Sequence, residues 1–126
     1  MPVTYGIDKQ RRLVISTGLG SITYADLLGH QNRLLKDPDF DPSFSQIMDF
    51  TRMTSLKLEP SEVRNLAQRN IFSPDSHRAI AAVNDLEYGF GRMFGILREN
   101  EGETGIRVFR SLDEAVDWVL SKSTSA

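Results

Sequence analysis

The residues that could do chemistry lie in two short stretches. Asp49, Thr51 and Arg52 follow an apolar run, and Tyr88 and Arg92 lie four residues apart, which is one turn of a helix. A carboxylate with a hydroxyl and a guanidinium could contact a ligand or a protein partner, and the tyrosine with its arginine could bind an anion or a carboxylate. The alternative for Asp49 is a local acceptor for backbone N–H groups or for Arg52. The alternative for Tyr88 and Arg92 is an ordinary solvated helix face.

Residue types that catalysis often requires are missing or badly spaced. The chain has no cysteine, which excludes disulfides, thiolate catalysis and cysteine-ligated metal centres. His30 and His77 do not have the spacing of metal ligands, and residues 16–21 lack the lysine and further glycine of a phosphate loop. No Gly-x-Ser-x-Gly or other nucleophile–base signature occurs. We therefore expect a protein that is not an enzyme, with no catalytic residue, no metal and no cofactor. An enzyme built on a polar cluster of Asp49, Tyr88 and Arg92 remains the alternative.

Composition indicates one ordinary globular domain. The chain has 126 residues, 40% of them hydrophobic and 25% charged, with a net charge of −2. Interleaved acids and bases lack the basic stripe of a nucleic-acid-binding protein. Neither a signal peptide nor a membrane span is expected. We predict a cytoplasmic protein with a single domain at residues 1–120 and a flexible tail at residues 121–126.

The hydrophobic periodicity predicts the element order β-β-α-β-α-β-α-β-α. The predicted strands are residues 3–8, 12–17, 44–50, 78–83 and 106–109, and the stretch 18–20 is expected to break the second strand. The first helix is predicted to begin at Thr23. His30 is expected to lie outside the core face of this helix, and the second helix spans residues 60–71. Residues 51–59 are predicted to be a polar loop. Predicted core faces are formed by Tyr24, Leu27, Leu28, Gln31, Leu34 and Leu35 in the first helix and by Leu86, Phe90, Met93, Phe94 and Leu97 in the third.

This order predicts an α/β fold with about five strands in one mixed, mostly parallel sheet and four helices. Strands that alternate with helices require right-handed crossovers and parallel pairing, and the opening hairpin adds an antiparallel edge strand. Ligands of such sheets bind beyond the carboxyl ends of the strands. That edge is expected to collect residues 49–54 and 84–88, which contain both polar stretches.

Three glycines in the third predicted helix need an explanation. Gly89, Gly91 and Gly95 each cost about 1 kcal/mol relative to alanine in a helix interior. A close neighbour could account for them, either a backbone segment, a second subunit or a ligand. We expect close packing or a dimer seam at these glycines and predict a homodimer.

Five segments of the chain resemble the SpoIIAA-like branch of the STAS superfamily, which is also similar to CRAL-TRIO lipid-binding domains. The segments are residues 35–42, 48–54, 78–83, 88–94 and 108–119. The resemblance covers nearly the whole chain, although no single motif is specific. It implies a SpoIIAA-like α/β sandwich and a bacterial protein, since many members are bacterial proteins without an assigned activity.

The better understood STAS relatives are anti-sigma-factor antagonists, so the resemblance implies a non-enzymatic regulatory or protein-interaction domain with an unknown protein partner. Those relatives are switched by phosphorylation of a serine in an Asp-Ser-Ser-Gly stretch, which residues 54–61 lack. Ser55 and Ser61 are nearby hydroxyls, and Glu59 could supply a fixed negative charge. The alternative function is a small-molecule or lipid-binding module for a small apolar or anionic ligand. Its ligand surface would include Met48, Met53, Phe90, Met93 and Phe94.

Overall fold

The computed structural model describes residues 2–123, which form a five-stranded sheet with four helices. The strands are ordered β1-β2-β3-β4-β5 across the sheet. Only the β1–β2 pair is antiparallel, and the three other pairs are parallel. The predicted α/β class, strand number and element order are therefore confirmed. The elements are β1 (Val3–Asp8), β2 (Leu13–Thr23), α1 (Tyr24–Lys36), β3 (Ser45–Lys57), α2 (Pro60–Ala67), β4 (Arg78–Ala81), α3 (Asp85–Asn100), β5 (Ile106–Phe109) and α4 (Leu112–Ser123).

The helices cover the two faces of the sheet unequally. Ile47 of β3 packs in a core cluster with Ala115 and Val119 of α4. Its neighbours Gln46 and Met48 line a cavity together with residues of α1, α2 and α3. Because successive side chains of a strand point to opposite faces, α4 covers one face and the other three helices cover the other.

Strands β2 and β3 extend further than the sequence analysis predicted. The loop predicted at residues 51–59 is wrong, since β3 continues to Lys57 and pairs with β2 as far as Thr23. Buried Met53 and Leu56 hold this extension against the core. The predicted strand break at residues 18–20 is instead a pair of register irregularities within β2. Gly20 takes a φ of 69° there, a conformation that glycine adopts without a steric penalty.

Several helical details also differ from the prediction. The second helix ends at Ala67 rather than at residue 71, and β4 ends at Ala81. His30 is 2% exposed, whereas Leu35 is 48% exposed. His30 lies three residues after Leu27 and four before Leu34, so it falls on the buried face at helical spacing.

The beginning of α3 has a similar exchange of positions. Leu86 is 58% exposed, and its neighbour Glu87 is 5% exposed. The predicted core face of this helix was therefore wrong at its first residue. Helix α4 continues to Ser123, and residues 124–126 of the predicted tail lie outside the described residues. None of the helices within residues 2–123 is long and apolar enough to cross a membrane.

Candidate functional site

A network of buried polar side chains crosses the sheet face that α1, α2 and α3 cover. His30 Nε2 lies 2.8 Å from Ser16 Oγ. Gln46 Nε2 donates to the same hydroxyl at 3.1 Å, and Arg78 Nε donates to Gln46 Oε1 at 3.1 Å. These bonds join α1 to β2, β3 and β4. The polar network comprises Ser16, His30, Gln46, Arg78, Arg98 and Glu103.

The polar network ends in two arginines that share one carboxylate. Arg78 Nη1 lies 3.1 Å and 3.2 Å from the two oxygens of Glu103, and Arg98 Nε donates to Glu103 Oε1 at 2.8 Å. Arg98 Nη1 also donates to the carbonyl oxygen of Ala67 at 2.8 Å and to Asn70 Oδ1 at 3.1 Å. The network therefore also ties α3 to the end of α2.

This end of the network carries a net positive charge in the protein interior. Two guanidiniums face one carboxylate, and Arg78 also stacks over Phe72 at 4.3 Å and Phe94 at 5.4 Å from the ring centres. Burial lowers the pKa of Arg78, while the Glu103 carboxylate acts in the opposite direction. Aromatic faces and the carboxylate together compensate for the lost hydration of the guanidinium.

His30 and Ser16 form a serine–histidine pair that the sequence analysis did not foresee. Burial, followed by the charges of Arg33 and Arg78, lowers the pKa of His30 from 6.5 to about 4. The imidazole is therefore neutral near pH 7 and is a weak base. Ser16 is completely buried and does not line the cavity. The Ser16 hydroxyl, which would have to react, therefore has no access to a substrate, so we assign the pair to packing.

A cavity of about 80 Å³ lies between the sheet and α1, α2 and α3. Its lining is mainly apolar, and His30, Gln46 and Arg78 bring part of the polar network to its wall. Of the side chains predicted to form a ligand surface, Met48, Phe90 and Phe94 line this cavity, whereas Met53 and Met93 do not. A mainly apolar lining with a few polar groups is typical of small-molecule sites, although this cavity is smaller than most of them.

Glu87 brings a carboxyl group to the wall of the same cavity. The side chain is 5% exposed, and Glu87 Oε1 accepts a hydrogen bond from Asn84 Nδ2 at 3.3 Å. Within residues 2–123, Glu87 Oε2 is buried and has no hydrogen-bond partner. Such groups are rare in folded proteins and each requires an explanation.

The first predicted polar stretch does not reach the cavity. Asp49 is buried, and its Oδ1 accepts hydrogen bonds from the backbone N–H of Thr51 at 2.9 Å and from Thr51 Oγ1 at 2.6 Å. Asp49 lies two residues after Ile47, on the strand face that α4 covers. Arg52 is exposed. The local role considered for Asp49 thus has direct contacts, whereas a ligand-binding role for these three residues remains a prediction.

The second predicted polar stretch lies beside a groove at the edge of the sheet. Tyr88 and Arg92 line this groove of about 370 Å³ between α3 and β5. Asp49 does not line the groove, so the three residues considered for an enzyme do not converge there. The Arg110 guanidinium stacks over the Tyr88 ring at 4.0 Å. Tyr88 is therefore held in place by an arginine other than Arg92.

The three glycines of α3 have different surroundings. A Cβ on Gly91 would lie 3.2 Å from Val108, and a Cβ on Gly95 would lie 3.5 Å from Ile106. These two glycines allow the helix to pack closely on the sheet. A Cβ on Gly89 would meet nothing within 4 Å. Close packing inside the subunit therefore accounts for two of the glycines, and the homodimer remains a prediction.

Sequence reasoning missed the polar network and Glu87. Part of the network had a signal, because His30 has helical spacing to Leu27 and Leu34, and Gln46 interrupts the apolar run between Phe44 and Ile47. Glu103 gave none, since it lies in a polar loop. Within residues 2–123, no group of three or more histidine, aspartate or glutamate side chains is arranged to hold a metal ion.

Comparison with solved structures places the chain in the SpoIIAA-like fold. An uncharacterised protein of the DUF3478 family with a SpoIIAA-like fold, from Shewanella loihica PV-4, is 19% identical with a TM-score of 0.55, and the alignment covers 93% of each chain. The anti-sigma factor antagonist SpoIIAA in its unphosphorylated form is 11% identical with a TM-score of 0.55, over 93% of this chain and 96% of that chain. No protein-family profile and no curated protein sequence matches the chain. The predicted SpoIIAA-like resemblance is thus confirmed at the level of the fold.

Proposed function

We propose that the protein is a non-enzymatic interaction domain of the STAS type that binds a protein partner. The observation that supports this proposal is the SpoIIAA-like fold, which extends over 93% of the chain and is shared with an anti-sigma factor antagonist. One fold can host unrelated functions, so the proposal also needs a contact surface on this chain.

The end of β4 and the start of α3 offer such a surface. Val83 is 53% exposed and Leu86 is 58% exposed. Arg110 donates to the carbonyl oxygen of Val83 at 2.9 Å and to Asp85 Oδ1 at 2.8 Å while it stacks on Tyr88. These contacts hold two apolar side chains at the carboxyl edge of the sheet, where parallel sheets commonly bind their ligands. We call this surface, formed by Val83, Leu86, Tyr88 and Arg110, the α3 corner.

We further propose that this interaction does not depend on a phosphoserine at the start of α2. Ser61 is exposed in the first turn of that helix, next to Glu59 and Glu62. The backbone N–H of Glu59 donates to Glu62 Oε1 at 2.8 Å, so an acidic side chain already occupies the helix start. A phosphate on Ser61 would meet like charges, which disfavour it.

Affinity capture from a lysate of the host organism tests the interaction. The wild-type protein, Leu86→Asp and Leu35→Asp would be compared, because Leu35 of α1 is similarly exposed at 48% but lies outside the α3 corner. We expect a partner that binds the wild type and Leu35→Asp and is lost with Leu86→Asp. Equal capture by all three proteins would contradict the assignment of the contact surface to the α3 corner. If none of the three captured a specific partner, the proposed interaction function itself would be contradicted.

A second candidate function is the binding of a small molecule, and the cavity beneath α3 supports it. An engineered apolar cavity of about 150 Å³ binds benzene, whereas this cavity measures about 80 Å³. Because the volume is about half of that, it favours a short-chain ligand smaller than benzene, and a long-chain lipid would require the cavity to widen.

Native mass spectrometry of the protein purified from its host tests this second function. Ile80 lines the cavity, so Ile80→Phe should fill part of it, and Val83→Phe provides an exposed control. A small molecule that is retained by the wild type and Val83→Phe but lost from Ile80→Phe would support the proposal. A bare polypeptide in all three samples would count against it.

A further inference from the structure

We propose that the cavity beneath α3 recognises a small apolar primary amine, whose ammonium group donates a hydrogen bond to Glu87 Oε2. This inference rests on the second proposed function, the binding of a small molecule, and adds the chemical class of the ligand.

The hydrogen bonding of Glu87 differs from that of the polar network. The polar groups of the buried network form hydrogen bonds with one another or with nearby backbone carbonyls. By contrast, Glu87 Oε2 is buried without a partner among the described residues. A leucine at this position would fill the same space without the cost of burying a polar atom. The carboxyl group therefore points to a donor that is supplied from outside the chain.

The charges around Glu87 indicate the head group of the ligand. Glu87 is the third residue of α3, where the helix dipole favours a negative charge. Within residues 2–123 its one hydrogen bond comes from the neutral amide of Asn84. Arg78 lines the same cavity but is bound to Gln46 and Glu103. An ammonium group would give Glu87 both a hydrogen bond and a charge partner, and such charge-assisted bonds are stronger than those of an alcohol.

The rest of the cavity lining indicates the hydrocarbon part of the ligand. Phe50, Phe72, Phe90 and Phe94 contribute aromatic rings to the lining, and most other lining side chains are aliphatic. These surfaces suit the hydrocarbon part of an amine, and ring faces also attract an ammonium group. The positive charge of Arg78 disfavours a second ammonium, so a monoamine fits better than a diamine or a polyamine.

A matched set of three probes tests the inference. n-Propylamine, 1-propanol and propionate share one three-carbon skeleton, are smaller than benzene and differ in the head group. Binding to the full chain at pH 7 would be measured by calorimetry and by NMR shifts of residues that line the cavity. Glu87→Gln removes the charge with little change of shape, and Glu99→Gln is the control on the exposed side of α3.

We expect the wild type and Glu99→Gln to bind the amine at least tenfold more tightly than the alcohol, and Glu87→Gln to lose that preference. Equal binding of amine and alcohol by the wild type would overturn the role of Glu87 while leaving cavity binding intact. Tighter binding of propionate would assign the head group to Arg78 and overturn the inference. Absence of binding by all three probes would also overturn it, whatever native mass spectrometry shows. The comparison among probes on the wild type decides the question even if Glu87→Gln does not fold.

Discussion

Protonation of His30 should destabilise the protein between pH 6.5 and pH 4. The pKa of this imidazole is 6.5 in an unfolded chain and about 4 in the folded protein, chiefly because of burial. Between these values the unfolded state binds the additional proton, so the free energy of unfolding falls as the pH falls. The full difference corresponds to about 3 kcal/mol, and about 2 kcal/mol should already be lost between pH 7 and pH 5.

The effect can be separated from the titration of carboxyl groups. Backbone hydrogen bonds from Asp39 and Ser43 lower the pKa of Asp37 and Asp41, respectively, below 3.8. Stability that these two aspartates contribute is present above pH 4 and is lost as the pH falls through their lowered pKa values. The interval from pH 6.5 to pH 5 therefore reports chiefly on His30.

Urea unfolding at pH 7, 6 and 5 measures this dependence. Trp118, the single tryptophan, packs against Phe109 and should report unfolding by its fluorescence. The variant His30→Gln keeps a polar side chain beside Ser16 but cannot acquire the proton, so its stability should be nearly independent of pH in this interval. Lys57→Gln, at an exposed position, serves as the control and should retain the wild-type dependence. An NMR titration that places the His30 pKa near 6.5, or an unchanged slope in His30→Gln, would refute the reasoning.

Three further predictions concern stability and can be checked by the same urea assay. Glu103→Gln should lower the free energy of unfolding by roughly 3–5 kcal/mol because two buried guanidiniums lose their shared carboxylate. A decrease of less than about 1 kcal/mol, or an equal decrease for the exposed Glu101→Gln, would contradict this. Gly89→Ala should stabilise α3 by about 1 kcal/mol, whereas Gly105→Ala should destabilise the protein by roughly 1–3 kcal/mol because the new methyl group would collide with the backbone of Ser76. A stable Gly105→Ala protein together with a destabilised Gly89→Ala protein would be incompatible with this packing. Thr23→Ala should lower the free energy of unfolding by about 1 kcal/mol, since the Thr23 hydroxyl accepts a hydrogen bond from the Asp26 N–H at 3.3 Å. An unchanged stability would mean that this cap contributes nothing.

Local sequence signals predicted the architecture well. The capping box at Thr23 and Asp26 begins α1 at the predicted residue, and the Glu114 N–H donates to Ser111 Oγ at 3.2 Å at the start of α4. Helices and strands that alternate in this way leave few arrangements of a parallel sheet. Capping and periodicity act over a few residues, which is why the order of elements could be predicted from them.

The candidate site depended on contacts that are distant along the chain. Glu103 and Arg78 are 25 residues apart, and Ser16 and Gln46 are 30 residues apart. Hydrophobic periodicity treats a buried arginine or glutamate as a polar surface residue. At the start of α3, periodicity likewise fails to predict that Leu86 is exposed and Glu87 is buried. The burial of a carboxyl group depends on which residues lie opposite to it in the fold.

The buried polar groups on the helix-covered side of the sheet therefore fall into two kinds. The polar network joins β2, β3, β4, α1 and α3 through hydrogen bonds, and this full pairing is what a structural role requires. Glu87 lies against the same cavity, yet one of its oxygens has no partner among the described residues. A structural role does not explain that difference, because an apolar side chain would stabilise the position more. The contrast between satisfied and unsatisfied polar groups is thus the reason why we propose the binding site at Glu87 and not at the polar residues of the strand ends.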